Sequence, residues 1–144
     1  AKYLATVQAD VLYSSPILRA KETAGIISEA TSLPILFDDR LWEVGMGRFN
    51  EHNQKELLEK YPDPQMRLNP DQADGMESFL HVRSRLEEFL DELKKKHSGQ
   101  KVILVSHGDP LEQLHGILTQ EGPGRSAEGW YPEKGSCTEV VWKI

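Results

Sequence analysis

The hydrophobic positions of this chain follow two alternating periods, which predicts strands alternating with helices. Short apolar runs at 10–14, 34–38 and 101–106 have the length and composition of strands, and the third is apolar enough for a strand buried on both faces of a sheet. Spacing by three and four predicts a long helix at 78–97 whose core face carries Phe79, Val82, Leu86, Phe89, Leu90 and Leu93.

Weaker signals predict the remaining elements. Ser15 and Pro16 are typical of a helix start, with Ser15 as N-cap and Pro16 at the first helical position. Further helices are predicted from there to 31, at 54–61 and from the region of 108 to about 120, and an alternating pattern predicts a closing strand at 136–144. This order of elements is typical of an α/β domain.

Composition narrows the class of protein. The 144 residues, 38% of them hydrophobic, suit one compact domain over 1–144. A net charge of -6, with 17 basic against 23 acidic residues, disfavours nucleic acid as a partner. A single cysteine excludes an intrachain disulfide framework, and no apolar run is long enough to span a bilayer. We therefore expect a soluble cytoplasmic protein that binds neither membrane nor nucleic acid.

The first candidate functional segment is SSPILRAKETA at 14–24, directly after a predicted strand. It places Arg19 in the first turn of a helix, where a cation opposes the helix macrodipole. An anion held between the guanidinium and backbone N–H groups would compensate for this position. A solvated surface arginine is the alternative.

Two further segments carry candidate chemistry. His107 ends the strand predicted at 101–106, where it could bind phosphate or transfer protons, and Gly108 would let a partner approach the backbone closely. The alternative for His107 is a capping or core histidine. Glu43 lies among apolar and glycine residues in the irregular segment 39–53, and such surroundings favour the protonated form that a general acid needs. Taken alone, Glu43 is better explained by a structural role.

Together, these segments resemble the histidine phosphatase superfamily, which is phosphoglycerate mutase-like. The matching motifs are SSPxxRAxxTA at 14–24, LxExxxG at 41–47, GxES at 75–78 and VSHG at 105–108. The resemblance covers nearly the whole chain. It implies a three-layer α/β fold with a mostly parallel sheet flanked by helices, and the family's first strand has no counterpart in the sequence.

The resemblance also implies roles for individual residues. In that family a phosphate is transferred to a histidine in an Arg-His-Gly turn, and water or a second substrate then removes it. Arg19, His107 and Gly108 would bind the phosphoryl group, and His107 would stabilise the charge developing on its oxygens. Glu43 would protonate the leaving alcohol, with Glu77 as the second candidate acid. No metal and no cofactor is implied.

One part of the family chemistry is absent from the sequence. The five histidines follow Glu, Leu, Lys, Ser and Leu, so none stands in an Arg-His-Gly turn. Residues 1–9 resemble the end of the helix that follows the family's first strand, and a sheet without that strand would have unpaired edges and a slot in its core. We therefore expect an N-terminally incomplete domain that is inactive alone, from a parent protein with Arg-His-Gly upstream.

The implied activity is hydrolysis of a phosphomonoester through a phosphohistidine, on a small phosphorylated metabolite or a phosphoprotein. A phosphoglycerate mutase, which is an isomerase, is the alternative, and the resemblance allows a homodimer. Asp109 is unusual after His107-Gly108 and would alter substrate choice. A hypothesis of another class is an inactive phosphate- or partner-binding module. The joint presence of Arg19, Glu43 and His107 favours the enzyme, because such a module has no physical need for all three.

Overall fold

The computed structural model describes residues 1–49, 53–124 and 129–142. The chain forms two compact units, and each unit is built from two separate stretches. The first unit comprises Ala1–Glu43 and Glu88–His107, and the second comprises Val44–Glu87 and Gly108–Ile144. The single domain predicted over 1–144 stays a prediction.

Helices and strands alternate along the chain as predicted. In chain order they are α1 (Lys2–Thr6), β1 (Val11–Ser14), α2 (Leu18–Thr31), β2 (Ile35–Phe37), α3 (Gln54–Lys60), α4 (Phe79–Lys96), β3 (Val102–Val105) and α5 (Gly108–Leu118). Short 3₁₀ helices lie at Asp39–Leu41, Pro64–Leu68 and Gln72–Asp74.

The first unit contains a parallel sheet with the strand order β2-β1-β3. Leu12 of β1 pairs with Ile35 on one side and with Ile103 on the other. Parallel neighbours need a crossover connection, which α2 provides between β1 and β2. The carboxyl ends of all three strands therefore lie at the same edge of the sheet.

Helices cover both faces of this sheet. On one face, α2 packs its small and branched side chains against β1 and β3, in a cluster of Leu12, Ala20, Ala24, Ile27, Ile103 and Val105. On the other face, the Tyr13 ring meets the Phe89 ring of α4 edge-on, with centroids 5.4 Å apart. The predicted three-layer α/β fold is confirmed, and all six predicted core positions of α4 are buried.

The prediction that the third strand is buried on both faces is wrong for one face. Ile103 and Val105 are buried, but Val102 and Leu104 are only half-buried. The central strand β1 has the same alternation, so the face of the sheet that carries Tyr13 is covered less fully than the face under α2. An apolar run shows that side chains avoid water and does not show how fully the next layer covers them.

The predicted start of α2 is also wrong. The helix begins at Leu18 with Ile17 as its N-cap residue in extended conformation, so neither Ser15 nor Pro16 has the predicted role. A residue before proline is disfavoured from helical conformation, and Ser15 instead continues the sheet, donating its N–H to the Val105 carbonyl over 2.8 Å. Its hydroxyl oxygen accepts from the Ile17 N–H over 3.3 Å.

The second unit has its own small core and a buried carboxylate. Phe49, Leu57 and Tyr61 form the core cluster, with Met46 and Met76 packed against it. The Asp74 side chain is only 2% exposed and is bound by Arg48 Nε at 2.5 Å, Lys60 Nζ at 2.7 Å and the Tyr61 hydroxyl at 2.5 Å. We call these four residues the Asp74 network.

The closing strand predicted at 136–144 is absent from its described part. Residues 136–142 have no regular structure and the Cys137 side chain is exposed, while residues 143–144 lie outside the described residues. An alternating pattern becomes a strand only when a neighbouring strand pairs with its backbone. Among the described residues, no helix is long and apolar enough to cross a membrane.

Candidate phosphate site

The carboxyl ends of β1 and β3 bring two parts of the predicted site together. Ser15 directly follows β1, and Arg19 is the second residue of α2. His107 lies two residues after β3, at the same edge of the sheet, because the two strands are parallel neighbours. Its Nε2 is 2.8 Å from Ser15 Oγ, and its side chain is only 3% exposed.

Arg19 connects this histidine to the predicted acid. Arg19 Nε donates to His107 Nδ1 over 3.2 Å, and Arg19 Nη2 donates to Glu43 Oε2 over 3.4 Å. The same carboxylate oxygen is 3.8 Å from His107 Nδ1. Arg19 is 24 residues from Glu43 and 88 residues from His107 in the chain, yet the three side chains form one network.

The position of the ring hydrogen on His107 follows from its partners. A guanidinium N–H can only donate, so Nδ1 accepts from Arg19 and carries no hydrogen. A neutral imidazole has one N–H, which is then on Nε2 and donates to Ser15 Oγ. Between the two neutral tautomers of His107, the contact with Arg19 therefore favours Nε2–H.

The exposure of the three side chains fits a site that takes a ligand from solvent. Arg19 is 57% exposed and Glu43 is 31% exposed, whereas His107 is buried behind them. The guanidinium presents planar donors of the geometry that phosphate oxygens accept. A phosphoryl group reaching the site would meet the cation first and the ring nitrogen next.

Glu77 belongs to the second unit and is held as a carboxylate. Arg85 binds it through two hydrogen bonds of 2.8 and 3.1 Å, and the Gly45 N–H donates to it over 3.1 Å. His81 Nδ1 lies 3.1 Å from the same carboxylate. Burial raises the pKa of Glu77, but the hydrogen bonds from Arg85 and Gly45 outweigh burial, so the net pKa lies below its ordinary value. Such surroundings oppose a role as proton donor.

Gly108 begins α5 in the second unit, beside the Tyr131 side chain. A Cβ at this position would lie 2.0 Å from the Tyr131 hydroxyl oxygen, so a larger residue would have to displace that exposed ring. The neighbouring Asp109 is paired with the Arg67 guanidinium and accepts a hydrogen bond from the Tyr131 hydroxyl over 3.1 Å. The acid that follows the histidine motif is thus neutralised by an arginine.

Sequence reasoning missed the part that Ser15 plays at this site. The Ser15-Pro16 pair is a common helix-start signal, and it led to an N-cap assignment for a hydroxyl that instead contacts the His107 ring. The signal that could have identified it is its place beside a strand end in the SSPxxRAxxTA motif. Among the described residues, no group of three or more His, Cys, Asp or Glu side chains could hold a metal ion.

A parallel α/β sheet thus carries an arginine and a histidine at the carboxyl ends of neighbouring strands, the edge at which open α/β sheets bind their ligands. The chain belongs to the histidine phosphatase superfamily (branch 1), whose family model matches residues 1–143.

Individual relatives support this assignment. Phosphoserine phosphatase 1 of Hydrogenobacter thermophilus is 35% identical over 122 residues, which are 82% of this chain and 58% of that protein. The metal-independent phosphoserine phosphatase of Arabidopsis thaliana is 33% identical over 115 residues, or 76% of this chain and 48% of that protein. The chain therefore spans about half the length of these curated relatives.

A solved structure shows the same fold. The native structure of mycobacterial glucosyl-3-phosphoglycerate phosphatase superimposes with a TM-score of 0.71 at 23% identity, covering 83% of this chain and 63% of that one. The solved structure and the family model thus agree on the fold.

Proposed function

We propose that this protein hydrolyses phosphomonoesters through a phosphohistidine, with Arg19, His107 and Glu43 serving the phosphoryl group. The observation that carries the proposal is the network in which Arg19 contacts both His107 and Glu43 at the edge where the strands end. Membership of the histidine phosphatase superfamily supports it, as do the names of the two relatives, both phosphoserine phosphatases.

Each residue has a distinct task in this reaction. Phosphoryl transfer gains its rate mainly from positioning and from charge stabilisation around the equatorial oxygens. The Arg19 guanidinium supplies donors to those oxygens, and His107 supplies a ring nitrogen behind it. Glu43, within 3.4 Å of Arg19, gives a proton to the departing alkoxide.

The phosphate acceptor is the remaining requirement. The chemistry needs a histidine in an Arg-His-Gly turn, and none of the five histidines in the sequence follows an arginine. We therefore expect residues 1–144 alone to bind phosphate without turnover, and a form of the protein that carries Arg-His-Gly to be the active enzyme. Dividing hydrolysis into two steps through a covalent intermediate lowers each barrier.

Calorimetric titration of inorganic phosphate tests the recognition part. We expect Arg19→Ala to weaken phosphate binding at least about tenfold, because it removes charge-assisted hydrogen bonds. Lys21→Ala is the matched control, since Lys21 is also on α2 but lies over the Phe37 ring. Equal affinity of the wild type and Arg19→Ala would refute phosphate recognition at this site.

A substrate panel tests the catalytic part in a form of the protein that carries Arg-His-Gly. Free phosphoserine, 3-phosphoglycerate and a phosphopeptide would be compared, with release of inorganic phosphate as the readout and acid-labile phosphohistidine as the intermediate. We expect hydrolysis that His107→Ala abolishes. Phosphate binding with no turnover and no phosphohistidine would favour an inactive binding module, and transfer between two positions of a sugar acid would favour a mutase.

A further inference from the structure

We infer that Ser15 is a positioning residue for His107, and that its hydroxyl fixes the ring orientation in which Nδ1 meets the Arg19 guanidinium, whose N–H in turn sets the tautomer. The inference deepens the proposed function and depends on it for its catalytic meaning. Its basis is the 2.8 Å contact between Ser15 Oγ and His107 Nε2, which joins two side chains 92 residues apart in the chain.

Ser15 is well suited to hold another group in place, because its own polar atoms are fixed. The residue is fully buried. Its N–H donates to the Val105 carbonyl over 2.8 Å, its carbonyl accepts from the Ser14 hydroxyl over 2.9 Å, and its Oγ accepts from the Ile17 N–H over 3.3 Å. The hydroxyl oxygen therefore has a defined position relative to β1 and β3.

This position decides which ring nitrogen faces the ligand. Because Nε2 points at Ser15 Oγ, Nδ1 is directed to the Arg19 guanidinium and the Glu43 carboxylate. These are the charged side chains of α2 and of the segment after β2 that the structure places beside the ring. Without the hydroxyl, the ring could turn over about χ2, which would place Cδ2 instead of Nδ1 beside the Arg19 guanidinium.

The hydroxyl oxygen is a suitable partner in both ring states of the proposed reaction. It accepts from the Nε2–H of a neutral ring, and it can equally accept from the Nε2–H of a protonated ring. The ring can therefore take up a proton at Nδ1, facing a phosphoryl oxygen, without losing its anchor. A backbone N–H in place of the hydroxyl could only donate, so it could not accept from Nε2–H in either ring state.

Ring-nitrogen NMR of the ¹⁵N-histidine-labelled protein tests the inference directly. Long-range ¹H–¹⁵N spectra report the tautomer of each neutral imidazole, and His107→Gln identifies the signal of His107. We expect the Nε2–H tautomer in the wild type and in Ser15→Thr, which keeps the hydroxyl. Ser15→Ala should give a mixture of tautomers, because a ring that turns over takes Nδ1 away from the Arg19 guanidinium. It should also bind inorganic phosphate about tenfold more weakly, because the turned ring no longer presents Nδ1 to the anion.

Ser28→Ala is the control, because Ser28 is a partly buried serine of the same unit whose hydroxyl donates to the Leu33 carbonyl over 2.6 Å and not to Ser15. It should leave the His107 tautomer unchanged. If Ser15→Ala does not fold, Ser15→Cys keeps the volume but offers a weak acceptor and should give the same mixture. A pure Nε2–H tautomer in folded Ser15→Ala or folded Ser15→Cys would overturn the inference. Lack of phosphate binding by the wild type would refute the proposed function alone, since the ring nitrogens report on Ser15 without phosphate.

Discussion

Glu43 and Glu77 are both paired with an arginine, but they differ in burial and in how many hydrogen bonds hold them. Glu77 is bound by the Arg85 fork and a backbone N–H, which lower its pKa. Glu43 lies beside the Arg19 guanidinium at 3.4 Å and remains 31% exposed. Glu43 contacts Arg19 and His107 within the first unit.

Replacing each acid by its amide separates their roles. In a form of the protein that carries Arg-His-Gly, we expect Glu43→Gln to lower kcat about 10²- to 10⁴-fold on substrates with a poor leaving group, because it removes the proton donor. The loss should be much smaller for p-nitrophenyl phosphate, whose leaving group needs no proton. Equal losses on both substrates would exclude Glu43 as the acid.

Glu77→Gln should instead change stability. It removes the charge that holds Arg85, so we expect the free energy of unfolding to fall by about 2 kcal/mol with kcat within a few-fold of wild type. Urea denaturation and steady-state kinetics on the same preparation would measure both. A selective collapse of kcat would show that Glu77 is the acid after all.

At this scale the sequence predicts the candidate site only in part. Arg19, Glu43 and His107 could be identified from motifs, and the structure places them together. The Ser15 contact could not be predicted, because the same Ser-Pro pair is compatible with a cap or with an extended residue. That choice depends on the Val105 carbonyl, which comes from 90 residues further along the chain.

Gly47 shows how a single backbone conformation fixes an irregular segment. It has a positive φ of 54°, and a Cβ there would lie 2.1 Å from the Asp74 carbonyl oxygen. The Arg48 N–H donates to that same carbonyl over 2.9 Å, so a hydrogen bond holds the backbone at Gly47 and Arg48 close to the backbone at Asp74. This explains the last glycine of the LxExxxG motif in steric terms.

We therefore expect Gly47→Ala to lower the free energy of unfolding by about 3 kcal/mol or more, through strain and overlap with backbone. Gly25→Ala is the control, because Gly25 lies inside α2 with nothing within 4 Å of its added Cβ. It should be stabilising by about 0.5–1 kcal/mol. Chemical denaturation would measure the free energy of unfolding of both variants. Equal changes in the two variants would contradict this account.

Elements with strong periodicity were predictable, and those that depend on partners were not. The amphipathic pattern of α4 predicts its buried face, because helical spacing is a local property. The pattern at 136–142 suggested a strand, but a strand also needs a neighbour to pair with. The predicted start of α2 was wrong for a similar reason, since the hydrogen bond from Ser15 to β3 keeps Ser15 in the sheet.

For the whole molecule, the Asp74 network predicts a specific response to acid. Burial raises the pKa of Asp74, but hydrogen bonds from Lys60, Tyr61 and Arg48 outweigh burial, so the net pKa lies well below its usual value of 3.8. A carboxyl group with a lowered pKa contributes stability that is present above the unfolded pKa. That contribution should therefore be lost as pH falls below about 4.

Asp74→Asn tests this by removing the titrating group. We expect lower stability at pH 7, because two cations lose their buried partner, and a shallower loss of stability between pH 4 and pH 2.5. Asp91→Asn, at an exposed position of α4, is the control and should keep the wild-type acid slope. Thermal unfolding across this pH range gives the comparison, and an unchanged slope in Asp74→Asn would assign acid sensitivity to other carboxylates.

The division of the chain into two discontinuous units has a consequence for recombination. Ser15, Arg19, Glu43 and His107 all belong to the first unit, and Glu43 and His107 are the last residues of its two stretches. A chimera with crossovers at 43/44, 87/88 and 107/108 would exchange the entire second unit and keep all four of these residues. The sequence of the exchanged stretches could therefore vary while the four residues at the strand ends all come from one parent.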